Sequence, residues 1–196
     1  MSLGLASEFG AARARAPERR RRFDELPVSP RLEVRPALHG ELPELARILQ
    51  ELIPGLIAPF SSFSAIHSYS NSIYTIRNRC SIAGCFACLH LNSRGLNGLL
   101  DGSLSMVEPQ RSCLAESGAR VEAIYAWAWA IRPPTNGIRA MGNFMAWLQR
   151  PEFCEAELYA RPMTDKGFGF VAQNLNTRPV ESGVRGRGLW VSTRFR

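Results

Sequence analysis

Residues 122–148, EAIYAWAWAIRPPTNGIRAMGNFMAWL, decide which fold this chain can adopt. They begin with an apolar, aromatic run, break at a Pro-Pro-Thr-Asn-Gly turn and resume with apolar residues at helical spacing. This order predicts a strand, a loop and a helix. The N–H groups at the start of such a helix lack intrahelical partners, and the helix dipole favours an anion there. We therefore expect a phosphate group to bind at this loop.

The same periodicity rules predict the elements on either side. Alternating or β-branched apolar runs predict strands, and apolar residues at intervals of three and four predict helices. The predicted strands are 32–37, 73–77, 82–91, 123–131, 154–160 and 189–193. The predicted helices are 42–52, 59–69, 94–102, the second half of the central stretch and a segment starting near Thr164. This order indicates an α/β fold, a mixed sheet flanked by helices.

Length and composition predict a single soluble domain. The chain has 196 residues, of which 45% are hydrophobic and 21% charged. Residues 1–30 contain four consecutive arginines and two late prolines without periodicity, which predicts a flexible, Arg-rich N-terminal extension before a domain at 31–196. Residues 103–120 are polar and predict a loop insertion. No apolar segment reaches the roughly 18 residues of a membrane span, and no secretory signal is evident, so we expect a cytoplasmic protein.

The net charge of +7 does not predict nucleic-acid recognition. Most of the excess lies at the termini: residues 1–30 hold six arginines against four acids, and residues 178–196 hold five against one. The middle of the chain is nearly neutral. Basic tails are more often solvated than sequence-reading, so specific nucleic-acid binding is not expected.

From residue 31 to 193 the chain resembles the GNAT superfamily of acyl-CoA-dependent N-acyltransferases. The resemblance rests on the order of the elements, on Leu32-Glu33-Val34-Arg35-Pro36-Ala37 before the first helix, on Ile82-Ala83-Gly84-Cys85-Phe86 as the third strand, and on the central strand, loop and helix. Thr164-Asp165-Lys166-Gly167, leading to Asn176-Thr177-Arg178-Pro179-Val180, is similar to the last helix of the family and the turn beyond it.

The resemblance implies that the fourth strand, 123–131, splays from the fifth, and that the pantetheine arm of acetyl-CoA or another acyl-CoA fills the gap. The pyrophosphate would lie over the start of the central helix. The implied cofactor-binding residues are Ile131, Arg132, Asn136, Gly137, Ile138, Arg139 and Ala140. The loop departs from the family pattern, because Pro134 and Arg139 stand where the pattern has Arg or Gln and a small residue. Pro133 and Pro134 also lack N–H donors.

The reaction implied by this resemblance transfers an acyl group to an amine, on a small molecule or a peptide. It needs a base for the amine proton and an acid for the leaving thiolate. Tyr159 on the predicted fifth strand is the candidate acid, and Glu122 before the fourth strand is the candidate base. Residues 61–72 and 103–120 are expected to form the acceptor side. A catalytically silent binding or regulatory domain of the same fold is the alternative, and the sequence leaves a homodimer open.

The cysteines give a third hypothesis, an iron–sulfur electron carrier. Cys80, Cys85, Cys88 and Cys113 match the spacing of plant-type [2Fe–2S] ligands. Cys85 and Cys88 fall in an apolar strand, however, where residues three apart face opposite sides. Buried structural cysteines are therefore favoured, and no metal site is expected.

The tryptophans in the central strand alternate with alanines. Regular alternation would place Trp127 and Trp129 on one face and the three alanines on the other. Helices could cover the two rings, or the face lined by alanines could leave room for a ligand.

Overall fold

The structure is a computed structural model that describes residues 26–53, 55, 59–79, 81–162, 164, 165, 167, 169, 170, 177–180 and 188–192. Its strands are β1 (Leu32–Pro36), β2 (Ile73–Asn78), β3 (Ser81–Leu91), β4 (Ala123–Ile131), β5 (Glu157–Ala160), β6 (Thr177–Val180) and β7 (Leu189–Ser192). Its helices are α1 (Leu42–Leu52), α2 (Phe60–Ser70), α3 (Ser93–Asp101) and α4 (Gly137–Trp147).

These strands form one sheet in the order β1-β2-β3-β4-β5-β7-β6. β4 and β5 run parallel, and the other neighbouring strands are antiparallel. A parallel pair needs a crossover connection, and α4 lies in the connection between β4 and β5. The predicted mixed sheet flanked by helices is confirmed.

Helices cover both faces of the sheet. α4 packs its buried Ala140, Met141, Phe144 and Met145 on one face, where Phe144 stacks on Phe86 of β3 at 4.5 Å between ring centroids. α1 and α2 cover the other face with Leu45, Ile48 and Phe63, among others. α1 buries one apolar stripe because its apolar residues recur at intervals of three and four, whereas the buried face of α2 also contains His67 and Ser70. Of the helices in the described residues, none has the length and apolarity needed to cross a bilayer.

The packed part of the chain begins before the predicted boundary at residue 31. Leu26 is buried in the core under α4, and Asn143 of α4 binds Ser29 through both its amide oxygen and its amide nitrogen. Residues 26–30 are therefore fixed to α4. The arginine run lies outside the described residues.

Several predicted elements change their bounds. The strand predicted at 154–160 begins only at Glu157, because a 3-10 turn at Pro151–Phe153 occupies the chain before it. Residues 177–180, expected to form a turn, make β6 at the sheet edge, where Pro179 is tolerated because an outer N–H is not needed. Most of the helix predicted after Thr164 lies outside the described residues. Thr164 does accept a hydrogen bond from the Gly167 N–H at 3.0 Å, as an N-cap does.

The insertion at 103–120 is attached to the end of β3 and to Asn92 directly after it. Leu114 forms a bridge with Leu91, and the Ala115 N–H donates to the His90 carbonyl at 2.8 Å. The Asn92 side chain donates to the carbonyls of Ser112 and Leu114. The insertion thus lies at the edge of the sheet where β3 ends and β4 begins.

Candidate active site

Strands β4 and β5 separate partway along β4. Their pairing runs from Ala123 opposite Glu157 to Ala126 opposite Ala160, where β5 ends. β4 continues to Ile131, and on this side no strand of the described residues pairs with 127–131. We call the point of separation the fork. The backbone groups of β4 beyond the fork form an edge to which an extended ligand could add as a strand.

A β-bulge lies at the fork. Ala126 is opposite Cys88 and Ala128 is opposite Ala87, so Trp127 is an extra residue in β4. Trp127 consequently packs toward α2, with its ring 6.3 Å from that of Phe63. Trp129 lies in the core under α4, with its ring 5.4 Å from that of Phe86. The prediction that both tryptophans share one face is therefore wrong, because the bulge shifts the alternation by one residue.

The helix start after β4 carries the N–H groups predicted to face an anion. Asn136 is the N-cap of α4, and its side chain accepts from the Arg139 N–H at 3.2 Å. The Ala140 N–H donates to the Asn136 carbonyl at 3.1 Å. Gly137 and Ile138 occupy the first two helical positions, whose N–H groups have no intrahelical partner. Among the residues predicted to bind the pyrophosphate at the helix start, Arg139 and Ala140 thus have N–H groups that are used by the helix itself.

Trp129 connects this helix start to the β4 edge. A Cβ at Gly137 would meet the Trp129 ring at 3.5 Å and the Ile131 side chain at 3.9 Å. The Trp129 Nε1 is buried and has no hydrogen-bond partner in the described part of the chain. Burial of an unpaired donor is costly, and such groups often mark a ligand site.

The two arginines predicted to contact the pyrophosphate differ in their surroundings. The Arg132 guanidinium donates to Glu51 of α1 at 2.8 Å and lies 3.8 Å from Glu44, so α1 holds it. Arg139 is exposed on the first turn of α4. Ile131 is half-buried against the core under α4.

Tyr159 lies at the fork, one residue before the last pair of β4 and β5, and is directly opposite Tyr125. Its hydroxyl donates to the Glu157 carboxylate at 2.8 Å. Burial, together with this hydrogen bond and the Glu157 charge, raises the pKa of Tyr159 well above its ordinary value. The phenol is therefore protonated at neutral pH, and its proton is directed at Glu157.

Glu122 lies at the other end of β4. It precedes Ala126, the last residue of β4 to pair with β5, by four residues, which places it about 13 Å from the fork along an extended strand. Arg120 contacts its carboxylate at 3.5 Å. Proton transfer between Glu122 and a group at the fork would need intervening waters.

Arg161 and Tyr125 are two residues at the fork that the sequence interpretation did not select. Arg161 directly follows Ala160, the last residue of β5, and the prediction of a strand stopped one residue short of it. Its Nε and Nη2 are buried and unpaired within the described residues. Burial raises the pKa of Tyr125, and the nearby Arg161 charge opposes that effect.

A cleft opens beside the bulge on the α1 and α2 side of the sheet. Its enclosed volume is about 20 Å³, room for about one water molecule, and its lining is mainly apolar. The residues that line it are Ala46, Leu49, Gln50, Phe60, Phe63, Trp127 and Ala128.

Solved structures share this arrangement of strands and helices. N-acetylglutamate synthase from Neisseria gonorrhoeae, complexed with coenzyme A and N-acetyl-glutamate, superposes with a TM-score of 0.54 at 13% identity. The match covers 84% of this chain and 35% of that one. The chain adopts the GNAT fold. The same synthase with coenzyme A and L-arginine gives a TM-score of 0.53 at 11% identity, over 84% of this chain and 34% of that one.

The match to a plant protein extends over nearly the whole of that protein. Arabidopsis thaliana Naa50, in complex with a bisubstrate analogue, superposes with a TM-score of 0.49 at 10% identity, over 82% of this chain and 96% of that one. By contrast, this chain spans about a third of the length of the bacterial synthase. No protein-family model and no curated protein sequence matches the chain.

Within this GNAT fold, the cysteines do not form a cluster site. Cys85 packs with the core under α1, and Cys88 packs with the core under α4, so their thiols lie on opposite faces of β3. Burial raises the pKa of both thiols well above the ordinary value, which disfavours the thiolate that binds iron. One [2Fe–2S] cluster cannot bind both residues, and Cys80 lies outside the described residues. The iron–sulfur hypothesis is therefore rejected.

Proposed function

We propose that this protein transfers an acetyl or related acyl group from acyl-CoA to an amine acceptor. The observation that carries the proposal is the fork, where β4 continues beyond the end of β5 and leads directly into the start of α4. One extended strand edge and one helix start with free N–H groups thus follow each other along the chain, and we propose that they form a single binding path. This path suits a ligand with an amide-containing arm and a phosphate end.

The groups along this path fit acyl-CoA. The edge at 127–131 offers backbone donors and acceptors to the amides of the pantetheine arm. The N–H groups of Gly137 and Ile138, with the exposed Arg139, would hold the pyrophosphate, and Trp129 Nε1 supplies a further donor beside them. When bound, acyl-CoA supplies the activated thioester from which the acyl group is transferred.

The residues at the fork can orient the reacting groups and exclude water. Trp127, Tyr125 and Phe63 form an apolar wall on the α2 side. In this proposal, Tyr159 protonates the leaving thiolate and Glu122 accepts the amine proton through water. The acid role requires the Tyr159 hydroxyl to leave Glu157, because a phenolate beside that carboxylate would place two negative charges together.

The acceptor is proposed to enter from the α2 side. α2 includes most of the Ser-rich region 61–72, and its Phe63 lines the cleft beside Trp127. The insertion at 103–120, the other predicted acceptor region, lies at the start of β4 and does not line this cleft. α2 is therefore the better candidate for the acceptor side. The bacterial synthase of this fold was solved with an N-acetylated amino acid, which supports an amine acceptor. The predicted cytoplasmic location remains part of this proposal.

A catalytically silent domain that binds acyl-CoA or a partner is the second candidate. Two observations favour it. The Tyr159 proton faces Glu157, and the Glu122 carboxylate lies far from the fork.

Two measurements on the full chain separate these candidates. Calorimetry with acetyl-CoA tests binding, and release of free CoA thiol in the presence of an amine panel tests transfer. Binding with transfer supports the enzyme, whereas binding without transfer supports the silent domain. No heat at near-millimolar acetyl-CoA would refute acyl transfer and favour the silent domain that binds a partner instead.

A further inference from the structure

Arg161 is placed at the fork by β5. The residue follows Ala160, whose partner Ala126 is the last residue of β4 to pair with β5. It comes two residues after Tyr159, and alternation along an extended chain directs it to the same face as Tyr159 and Tyr125. The Arg161 charge lies close enough to the Tyr125 phenol to oppose the rise in its pKa, which agrees with this direction.

The guanidinium of Arg161 has unused hydrogen-bonding capacity. Its Nε and Nη2 are both inaccessible to solvent and have no protein partner among the described residues. No ion pair of Arg161 is found in that part of the chain, and the closest carboxylate along β5, Glu157, accepts instead from Tyr159. Burying charged donors without partners is costly, so a stable fold normally pairs them.

The geometry of an arginine indicates which group would satisfy it. A guanidinium presents parallel N–H donors that match the two oxygens of a carboxylate, and the match is strongest away from water. Water is excluded from this side of the guanidinium, because its Nε and Nη2 are inaccessible to solvent and the nearby Tyr125 is buried.

The phosphate end of acyl-CoA is too far away to be this partner. The start of α4 follows Ile131, which lies five residues beyond the fork, or about 17 Å along an extended strand. Arg161 is at the fork itself, next to the proposed point of acyl transfer. Its ligand therefore belongs to the acceptor or to the acyl group.

We propose that Arg161 binds a carboxylate of the acceptor, so that the acceptor is an amino acid or another amine that carries a carboxylate near its amino group. This inference rests on the proposed acyl transfer and adds the class of acceptor.

The experiment compares matched acceptors with acetyl-CoA as donor, using the full chain. Each L-amino acid is tested beside its carboxamide and its decarboxylated amine, by release of free CoA thiol. We expect the carboxylate form to have the highest kcat/KM. Arg161→Gln should lower that kcat/KM by roughly 30- to 100-fold, mainly by raising KM, as expected for loss of charge-assisted hydrogen bonds. The Kd of CoA should stay within about twofold, and Arg94→Gln, at an exposed site on α3, is the control.

A second arm distinguishes a carboxylate on the acyl chain. If succinyl-CoA is preferred over acetyl-CoA and the preference disappears in Arg161→Gln, the carboxylate belongs to the donor and the acceptor proposal is overturned. A loss of CoA affinity in Arg161→Gln would also overturn it, because Arg161 would then bind CoA itself.

A third arm needs no turnover. Arg161→Met should leave the unfolding midpoint unchanged or raise it, because it removes a buried charge without protein partners. Amino acids added with CoA should raise the midpoint of the wild type but not of Arg161→Met. A fall of several degrees in the variant, or no shift of the wild type with any carboxylate, would overturn the inference. If wild-type protein fails to bind CoA, the proposed function fails first and separately.

Discussion

At the scale of single residues, the position of one extra residue changes what the central strand presents. Trp127 is the bulged residue of β4, and from there onward each side chain lies on the face opposite to that expected from regular alternation. Trp129 thereby enters the core under α4, where it touches the position at which Gly137 begins the helix. A single insertion of this kind links the strand edge to the proposed phosphate site.

Substitutions at Gly137 test the proposed pyrophosphate site at the start of α4. Proline is tolerated at the first position of a helix, and the backbone of Asn136 is extended, as a residue before proline prefers. Gly137→Pro should therefore keep α4 but remove one N–H, and we expect a loss of at least tenfold in affinity for acetyl-CoA by calorimetry. Gly137→Ala is the matched control, since it keeps the N–H and its Cβ makes only ordinary contacts. Equal affinities for both variants would show that the pyrophosphate lies elsewhere.

Substitution of Tyr159 tests its proposed role as the general acid. Tyr159→Phe should lower kcat at least tenfold, because general acid catalysis contributes on the order of a hundredfold or more. The affinity for acetyl-CoA should change little, since the residue faces the acyl end. Tyr74→Phe, on β2 and outside the proposed site, is the control and should keep its kcat. If instead Tyr159→Phe is fully active, Tyr159 is not the acid.

At the scale of elements, β3 and β4 approach each other closely at Gly84. A Cβ at this position would overlap the carbonyl oxygen of Ala130, which is backbone and cannot move aside without displacing β4. Gly84→Ala should therefore lower the free energy of unfolding by roughly 1–3 kcal/mol, the range for an overpacked core. Denaturant unfolding measures the change. Gly40→Ala, where a Cβ meets nothing within 4 Å, should cost much less, and a similar loss in both would argue against close approach of the strands.

Glu41 connects β1, β2 and the start of α1. Its carboxylate accepts from Arg35, Arg77, Thr75 and the Leu38 N–H. Burial acts to raise its pKa, but the hydrogen bonds from Arg35, Leu38 and Thr75 and the Arg35 charge outweigh burial and lower the pKa to about 2. The pKa of Glu41 is lower in the folded protein than in the unfolded chain. The ionised carboxylate therefore contributes its full stabilisation to the fold above about pH 4.5, and this stabilisation is lost as the pH falls toward 2.

Glu41→Gln should therefore lower the free energy of unfolding at pH 7 by about 2 kcal/mol, after allowance for solvent screening. The difference between wild type and variant should shrink as the pH falls from 4.5 to 2, measured by urea unfolding across that range. Glu108→Gln, at an exposed position, should change stability little. If the difference in free energy of unfolding between wild type and Glu41→Gln stays constant down to pH 2, the lowered pKa of Glu41 is contradicted.

The sequence predicted the type of most elements but not their partners. The intervals of Leu42, Leu45, Ile48 and Leu49 were sufficient for α1, and the same residues are buried. Arg132 shows that local spacing does not predict contacts between distant segments. Its place beside the anion loop suggested a phosphate contact, yet the ion pair it forms is with Glu51, 81 positions away in sequence. Contacts of this kind depend on where α1 packs across β4, which local spacing cannot specify.

At the scale of the whole molecule, binding at the fork should be coupled to folding. The proposed acyl-CoA path crosses β4, the start of α4 and the separation from β5, so it exists only in the folded chain. Acetyl-CoA at a hundred times its Kd should therefore stabilise the protein by about 2.7 kcal/mol, measured as a shift in the unfolding midpoint. Hydrogen exchange should slow at residues 127–131. Stabilisation with no protection of this edge would place the ligand elsewhere.

The sequence by itself determined the central strand, loop and helix, and with them the α/β class, because periodicity and turn residues act within a few positions of each other. Only the tertiary structure decided where β5 stops pairing with β4, on which face each tryptophan lies, and that Cys85 and Cys88 are separated by the sheet. It also brought Arg161 to the fork. These features depend on strand register, and register is set by contacts between segments that are distant in sequence.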